Sequence, residues 1–462
     1  MRAEGDYRDR LYTIDKSGRR KWVYSHFLRG RFMRARTIVA YLLLVFYLAM
    51  PWLIINGKQG ILLDIPHRRF IFFGLELWAT DTIFLFLFLS VAGLALFFFT
   101  SILGRVWCGW ACPETVFLEF LFRPIERLIE GSESERRKLD AESWTFKKIR
   151  KKLLKHAISA AAAWVIASTA LAYFIGRDPL LKMMSGSPLD NFGPFALTLA
   201  FMLVLAFQFG WFREQFCTIL CPYARFQSVL MDRNSLLVGY DHNRGEPRGK
   251  LRTTENEHGD CIDCGLCVRV CPTGIDIRNG TQLECIACTA CVDACDSVMT
   301  KISKPLGLIR YSTESELEGV KTKWLRPRVF FYAGILLILF SIFVYKISTR
   351  RLVDIEIVRT NQTEPFVLDS SNIVSNQFSL RVANKGEVTD RFFITPIHPD
   401  TLKVISPISQ MEIQPGESHQ VPVFLRVPLD AFYRGKAKII IELGDLKGVK
   451  TRRELTLVGP AQ

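Results

Sequence analysis

Twelve cysteines lie between Cys108 and Cys295, and eight of them fall in two runs of one spacing. The first run is Cys261-x2-Cys264-x2-Cys267-x3-Cys271-Pro272. The second is Cys285-x2-Cys288-x2-Cys291-x3-Cys295, with Asp296 in the place of the proline. A [4Fe–4S] cluster needs four thiolates around a cube. A Cys-x2-Cys-x2-Cys loop wraps three corners, and the fourth thiolate comes from a distance. Where two such runs share a chain, the fourth cysteine of each ligates the other cluster. The spacing therefore assigns Cys261, Cys264, Cys267 and Cys295 to one cluster, and Cys285, Cys288, Cys291 and Cys271 to the other. The chemistry is one-electron transfer. Two four-cysteine zinc sites or buried thiols are the competing readings, and two intact x2-x2-x3 runs favour iron–sulfur.

The remaining four cysteines form an internal repeat. Cys108-x3-Cys112-Pro113 and Cys217-x3-Cys221-Pro222 share one pattern at an offset of 109 residues. Each follows an apolar stretch, so a duplicated helical hairpin is expected, with both pairs at one depth and able to meet. On an α-helix, i and i+4 share a face, which would make each pair bidentate. Three readings stay open for Cys108, Cys112, Cys217 and Cys221: a further metal site including a third cluster, a soft ion such as Cu(I), which thiolates select, or a thiol redox pair. No residue stands out as catalytic in its own right. Haem is not indicated, because only His156 lies near an apolar stretch. No nucleotide-binding glycine pattern of the Rossmann or P-loop type is present.

These thiols must be positioned by elements of an unusual composition. Of 462 residues, 49% are apolar and 35 are Phe. Five stretches carry no charged side chain over a membrane-spanning length: Thr37–Ile55, Thr82–Leu103, Ala157–Ile175, Phe192–Phe212 and Val329–Tyr345. A membrane helix needs about 20 such residues, within about 17–25. The net charge of +15 does not point to nucleic acid, because it is distributed by topology. Residues 1–36 carry 11 Lys/Arg and residues 105–155 carry 12, whereas 58–80 and 177–191 carry 3 and 2. By the positive-inside rule the N-terminus, the 105–155 loop and the 213–328 segment are cytoplasmic, with the excess charge against anionic lipid. The first 36 residues are too long and too charged for a simple cleaved signal. The pair Arg19-Arg20 is not followed by the apolar run that an export signal needs. A reducing compartment suits cluster thiolates, and every cysteine falls in or beside a segment assigned to the cytoplasm.

After the fifth stretch the chain lies outside, in the periplasm of a Gram-negative cell. Residues 352–462 read as β. Phe378–Val382, Arg391–Ile394, Val421–Val427, Lys438–Glu442 and Glu454–Leu457 are short runs, several of them alternating. Turn signals stand at Asn384-Lys385-Gly386 and Gln414-Pro415-Gly416-Glu417. About 100 residues of this kind suit an immunoglobulin-like sandwich, read here as a partner-docking module, with His398 and His419 as surface residues. Two stretches remain. Gly239–Gly249 is either a linker or a strap packing the clusters against the membrane face. Ile61–Trp78, with Asp64, His67, Arg68 and Arg69, is an interfacial segment or an entry site for quinone or metal.

The expected protein is thus a multi-domain, multi-pass membrane protein of the bacterial inner membrane. Its parts are a basic N-terminus (1–36), a four-helix region with the two Cys-x3-Cys-Pro motifs (37–212), a cytoplasmic ferredoxin-like α+β domain with two [4Fe–4S] clusters (213–328), a fifth transmembrane helix (329–345) and a periplasmic immunoglobulin-like domain (352–462).

This order of motifs is similar to a known family. Arg105-Val106-Trp107-Cys108-x3-Cys112-Pro113, Cys217-x3-Cys221-Pro222, Tyr240-Asp241-x2-Arg244-Gly245-Glu246-Pro247-Arg248 and the ferredoxin runs, followed by a last span and a β-sandwich, resemble the cytochrome c oxidase accessory proteins known as CcoG, FixG or RdxA. The resemblance covers essentially the whole chain. It implies a role in maturing the cbb3-type haem–copper oxidase by reducing Cu(II) to Cu(I). The partners it implies are copper ions, a cytoplasmic electron donor, and copper-delivery and oxidase-assembly proteins, and a homodimer is compatible with it. The membrane half also resembles respiratory polyferredoxins, which lack the sandwich, so electron exchange with quinone is the alternative. A non-enzymatic assembly scaffold is the second alternative.

Overall fold

The computed structural model describes residues 13–14, 17, 19–66, 69–77, 82–250, 258–349, 353–359, 366–384, 386, 389–407, 410–414, 417–445 and 450–460. The expectations placed on His67, Arg68, Trp78, Lys385, Pro415 and Gly416 lie outside the described residues. Two compact units result: Met1–Glu76 with Ile83–Phe343, and Leu77–Thr82 with Val344–Gln462.

The first unit contains the long apolar helices. Among the described residues, five helices are long and apolar enough to cross a membrane: Arg31–Ala49, Ile83–Leu103, Phe146–Ile175, Phe192–Phe212 and Pro327–Ser348, with mean hydropathy from 1.6 to 2.6. Three of them depart from the charge-free stretches, the fifth by taking in Arg328 and Lys346. The first starts at Arg31 and stops at Ala49, not at Ile55, because Pro51 has no N–H to continue the helical ladder. Residues Ile54–Ile55 and Lys58–Gln59 instead pair as a small antiparallel ribbon. The third starts at Phe146, with the Thr145 side chain accepting from the Lys148 amide at 3.3 Å, so its basic first turns are helix too. Absence of charge marks a span, not the ends of a helix. Tyr47 of the first helix donates to the Ile166 carbonyl at 2.8 Å, and Tyr173 donates back to the Tyr47 carbonyl at 2.8 Å. Phe209 of the fourth stacks on Phe122 with centroids 4.6 Å apart.

The stretch after the first ribbon is folded. Ile61–Asp64, Arg69–Phe72 and Leu75–Leu77 form a three-stranded sheet. The buried Glu76 carboxylate accepts from Lys58 Nζ at 2.8 Å and also pairs with Arg69.

The ferredoxin segment belongs to this first unit. The strand Leu237–Tyr240 pairs antiparallel with Ile309–Ser312. Between them lie the cysteine loops and the helix Ala290–Lys301.

The second unit is a β-sandwich. One sheet has Lys403–Ile405, Ser418–Pro428, Ile373–Asn384 and Val353–Arg359 in that order, with Val367–Leu368 also paired to Ile373–Asn384. The other has Gln410–Ile413, Asp390–His398, Lys436–Asp445 and Lys450–Val458. In Ile373–Asn384, Val374, Asn376, Phe378, Leu380 and Val382 alternate inward, the period of a strand with one covered face. They pack on Phe392, Ile413, Ile439, Ile441 and Leu457 of the facing sheet. Asn376 is the polar exception. Fully buried, it donates to the Val458 carbonyl at 2.9 Å and accepts from the Val458 amide at 3.0 Å, tying the two sheets together. His398 ends a strand and His419 lies exposed, 3.6 Å from Glu417.

Candidate iron–sulfur and thiol site

The two cysteine runs are shaped by the same turn used twice. Asp263 and Gly265 have φ of 50° and 63°; Ala287 and Thr289, at the matching places of the second run, have 52° and 61°. Left-handed backbone at these points curls each Cys-x2-Cys-x2-Cys segment into a loop. For Thr289 this conformation is costly, and the surrounding packing enforces it, since the residue is 1% exposed.

The fold sorts the eight thiols into the two crossed groups. One cavity is lined by Cys271, Cys285, Cys288 and Cys291, with Cys267 at its edge. The thiols whose charge bears on Cys285 are Cys288 and Cys271. Those bearing on Cys295 are Cys267, Cys261 and Cys264. The helix Ala290–Lys301 explains the crossing. It carries Cys291 toward one group and Cys295 toward the other, four residues on, which is about 6 Å along the axis. Burial pushes the Cys285, Cys267 and Cys295 thiols up to about 12, and Cys288 and Cys291 upward as well. Such groups stay protonated until a bound metal centre displaces the proton. Cys264 is exposed. Two groups of four thiols, three of the eight buried and four half-buried, suit two [4Fe–4S] clusters, and among the described residues no three Cys, His, Asp or Glu side chains converge on a single ion.

The stretch Gly239–Gly249 is an ordered strap. The Asp241 carboxylate caps the short helix His242–Gly245. Gly249 N–H donates to the Cys261 carbonyl at 3.1 Å, and Arg244 bonds Asp260 at 2.5 Å and the Leu306 carbonyl at 2.9 Å.

The other four cysteines share one neighbourhood, in a geometry that differs from the expected one. Neither Cys-x3-Cys pair lies on a continuous α-helix. Cys108 is in the helix Val106–Trp110, but Cys112 is extended, with φ −60° and ψ 128°. Cys217 is in a π-turn, Phe216–Leu220, and Cys221 is extended, with φ −64° and ψ 111°. The prolines cause this. Pro113 and Pro222 expel the preceding residue from helical backbone and then occupy the first position of the next helix. Each second cysteine is thus the N-cap of a new helix. The thiols bearing on Cys217 are Cys112, Cys108 and Cys221, so the repeat places the four in one neighbourhood. Burial pushes Cys112 up to about 11 and raises Cys217 and Cys108 too. Gln227 donates to Cys108 Sγ at 3.3 Å. Glu114, held by Gln208 Nε2 at 2.9 Å, lies half-buried near Cys217, and desolvation pushes it up to about 7.

The two sites abut. A Cβ placed on Gly109 would lie 2.6 Å from the Ile286 carbonyl oxygen and 2.8 Å from Cys288 Cα. The Cys108 turn and the Cys288 loop are therefore in backbone contact. Around that contact, Arg36 donates to the Gly109 carbonyl at 2.9 Å. Arg105 donates to the Ala224 carbonyl at 2.5 Å and also to the Leu283 carbonyl, linking the second pair's helix to the cluster loop. Trp110 Nε1 donates to Tyr311 Oη at 2.9 Å, and Tyr311 donates to the Ala287 carbonyl at 2.9 Å. Asp293, between two ligand cysteines, accepts from the Phe32 and Met33 amides at 3.2 and 2.8 Å and so caps the first long helix. Gly109 and Trp110 sit inside the visible motif. Arg36, Asp293 and Tyr311 carry no local signal, because their partners are more than 70 residues away or on another element.

Comparison with known proteins agrees with this geometry. Residues 212–314 match the family described as 4Fe-4S dicluster domain, 83–131 match 4Fe-4S binding domain, and 343–460 match the IG-like fold at the C-terminal of FixG. Protein RdxA of Cereibacter sphaeroides is 37% identical over 387 residues, covering 80% of this chain and 81% of that protein. Protein RdxB of the same organism is 37% identical over 406 residues, covering 82% of each. Nitrogen fixation protein FixG of Rhizobium meliloti is 40% identical over 308 residues, which is 64% of this chain and 58% of that protein's length. With its dicluster domain, its terminal sandwich and these relatives, the chain belongs to the FixG/RdxA family of iron–sulfur electron-transfer proteins.

Proposed function

We propose that the chain is an inner-membrane cupric reductase that serves assembly of a cbb3-type oxidase. Electrons enter from a cytoplasmic donor and leave at the Cys108/Cys112/Cys217/Cys221 group. The observation that carries this reading is the backbone contact between Gly109 and Cys288, which joins the four-thiol group to the cluster loop without an intervening side chain. The clusters, when bound, supply electrons singly, which matches Cu(II) to Cu(I): one electron gained by copper, one lost by the protein. Cys261, Cys264, Cys267 and Cys295 would hold one cluster, and Cys271, Cys285, Cys288 and Cys291 the other. The four remaining thiols favour the product, because soft sulfur selects Cu(I). Burial raises the proton affinity of Cys108, Cys112 and Cys217, so metal binding there releases protons and affinity rises with pH. Sidedness rests on the positive-inside pattern. The packing of His26 on Arg269 and of Arg123 on Pro272 supports one common side for the N-terminal segment, the 105–155 loop and the ferredoxin segment.

Replacing Cys108 and Cys217 with Ser should abolish Cu(II) reduction while both cluster signals persist in EPR. Unchanged copper reduction in that variant removes the four-thiol group from the mechanism. One observation favours a second reading of the same thiols. The 83–131 match is to a 4Fe-4S binding domain, yet that stretch holds only Cys108 and Cys112. Iron quantitation decides between them: about 8 iron atoms per chain for two clusters, about 12 if the four thiols hold a third.

A further inference from the structure

A second cavity lies on the other side of the Cys271 loop, and its lining is cationic. Arg36, Arg123, Arg127 and Arg136 face it together with Glu119, the N-terminal segment 25–28, Pro272 and Ala290. It measures about 40 Å³, room for about three water molecules or a small anion that displaces them. Three of the four arginines are at most 4% exposed.

The carboxylates nearby do not balance this charge. Glu214 is shared by Arg20 at 3.0 Å and Arg123 at 3.3 Å. Glu126 is shared by Arg213 at 2.9 Å, Arg136 at 3.3 Å and Lys155 at 3.8 Å. Glu119 pairs with Arg123. Among the described residues, Arg36 and Arg127 have no carboxylate within ion-pair distance. Arg127 lies over the Phe27 ring, 4.0 Å from its centroid, and Arg36 over Phe120 at 5.3 Å. Two buried donors on the cavity wall, Arg36 Nη2 and Arg136 Nε, have no protein acceptor.

Buried guanidiniums in excess are costly unless an anion and its hydrogen bonds compensate them. Forked guanidinium donors match the oxygens of phosphate. The long helix Arg31–Ala49 does not supply the attraction, because Asp293 already caps its first amides. We propose that this cavity is a binding site for a phosphate-class oxyanion, either free phosphate or the headgroup of an anionic phospholipid. An anion there ties three segments together: the N-terminal stretch 25–28, the helix carrying Arg123 and Arg127, and the loop that follows Cys271.

The test uses the full chain, purified anaerobically in detergent and in a phosphate-free buffer. Inorganic phosphate is titrated against chloride at matched ionic strength, and in a second arm phosphatidylglycerol is compared with phosphatidylcholine in mixed micelles. Thermal midpoint and native mass spectrometry are the readouts. A rise of several degrees and a retained adduct are expected. With phosphate they indicate the free ion as the source, and with phosphatidylglycerol alone the lipid. R127Q should weaken half-saturation at least tenfold. R137Q, an outward-facing arginine paired to Glu133 at 3.0 Å, should not, and R127K should retain most of the effect. No shift or adduct with either probe in the wild type overturns the proposal, and so does equal behaviour of R127Q and R137Q. If R127Q does not fold, the wild-type adduct and the R127K titration decide.

Discussion

Gly109→Ala sets two physical effects against each other. Gly109 lies in the helix Val106–Trp110 at a negative φ. By propensity alone, alanine there should stabilise by about 1 kcal/mol. Packing predicts the reverse. The new methyl would sit 2.6 Å from the Ile286 oxygen, 2.8 Å from Cys288 Cα and 2.9 Å from Cys288 N. Ordinary contact begins near 3.4 Å, so the Cys108 turn and the Cys288 loop must separate by roughly 0.5–1 Å. All three neighbours are backbone atoms, and none can swing aside as a side-chain tip would. Overpacking of this kind costs about 1–3 kcal/mol. The net expectation is a loss of up to about 2 kcal/mol. Gly93→Ala and Gly334→Ala are the controls, since both are helical and nothing lies within 4 Å of either added methyl. They should be neutral or stabilising. Thermal midpoints of the three variants in one detergent compare the signs. EPR adds a local readout, because the displaced loop carries Cys288, and one of the two cluster signals should change shape while the other does not. If Gly109→Ala matches Gly93→Ala in midpoint and leaves both signals unaltered, the backbone contact is not as described, and the route from cluster to thiols loses its support.

Three further outcomes are expected. Asp293→Ala removes the acceptor for the Phe32 and Met33 amides. It should cost about 0.5–2 kcal/mol and speed proteolysis before Arg31; an unchanged cleavage rate would count against the cap. Asn376→Leu strands the Val458 amide and carbonyl, at about 1–3 kcal/mol, and faster hydrogen exchange at Val458 would report it. The third outcome concerns acid. Burial opposes ionisation of Asp241 and Asp276, but hydrogen bonds from Arg310 to the first and from Arg278 to the second hold both below the ordinary carboxylate range. A depressed folded-state value gives stability that is present above about pH 4 and lost as pH falls through the lower value. The urea midpoint should therefore fall from pH 5 to pH 3, and Arg278→Gln should flatten that slope. A parallel slope in the variant would assign the acid sensitivity elsewhere.

Much of the chemistry was legible because it is local. The x2-x2-x3 spacing is set by the reach of one loop around one cube, so the eight thiols could be singled out, and their crossed grouping expected, without a fold. Pro113 and Pro222 also carried a local message that a helical reading of Cys-x3-Cys overlooks, since a residue before proline leaves the helix. Charge-free length located five apolar helices, but not their ends. Arg31, Arg34 and the lysines after Phe146 are helical despite their charge, and Pro51 ends the first helix inside an apolar run.

What belongs to the sequence by itself is the set of candidate cluster-ligating cysteines, the duplication, the apolar helices and the alternating strands of the terminal sandwich. Each is encoded in neighbours a few residues apart, where periodicity and chain reach decide. Only the tertiary structure decided what those parts do to one another. It placed Gly109 on Cys288, Asp293 on the first helix and Tyr311 between Trp110 and the cluster loop, and it gathered four arginines around one cavity. These are contacts between segments tens to hundreds of residues apart. They are selected by packing and by the need to satisfy buried charge, for which no local pattern in the chain is required.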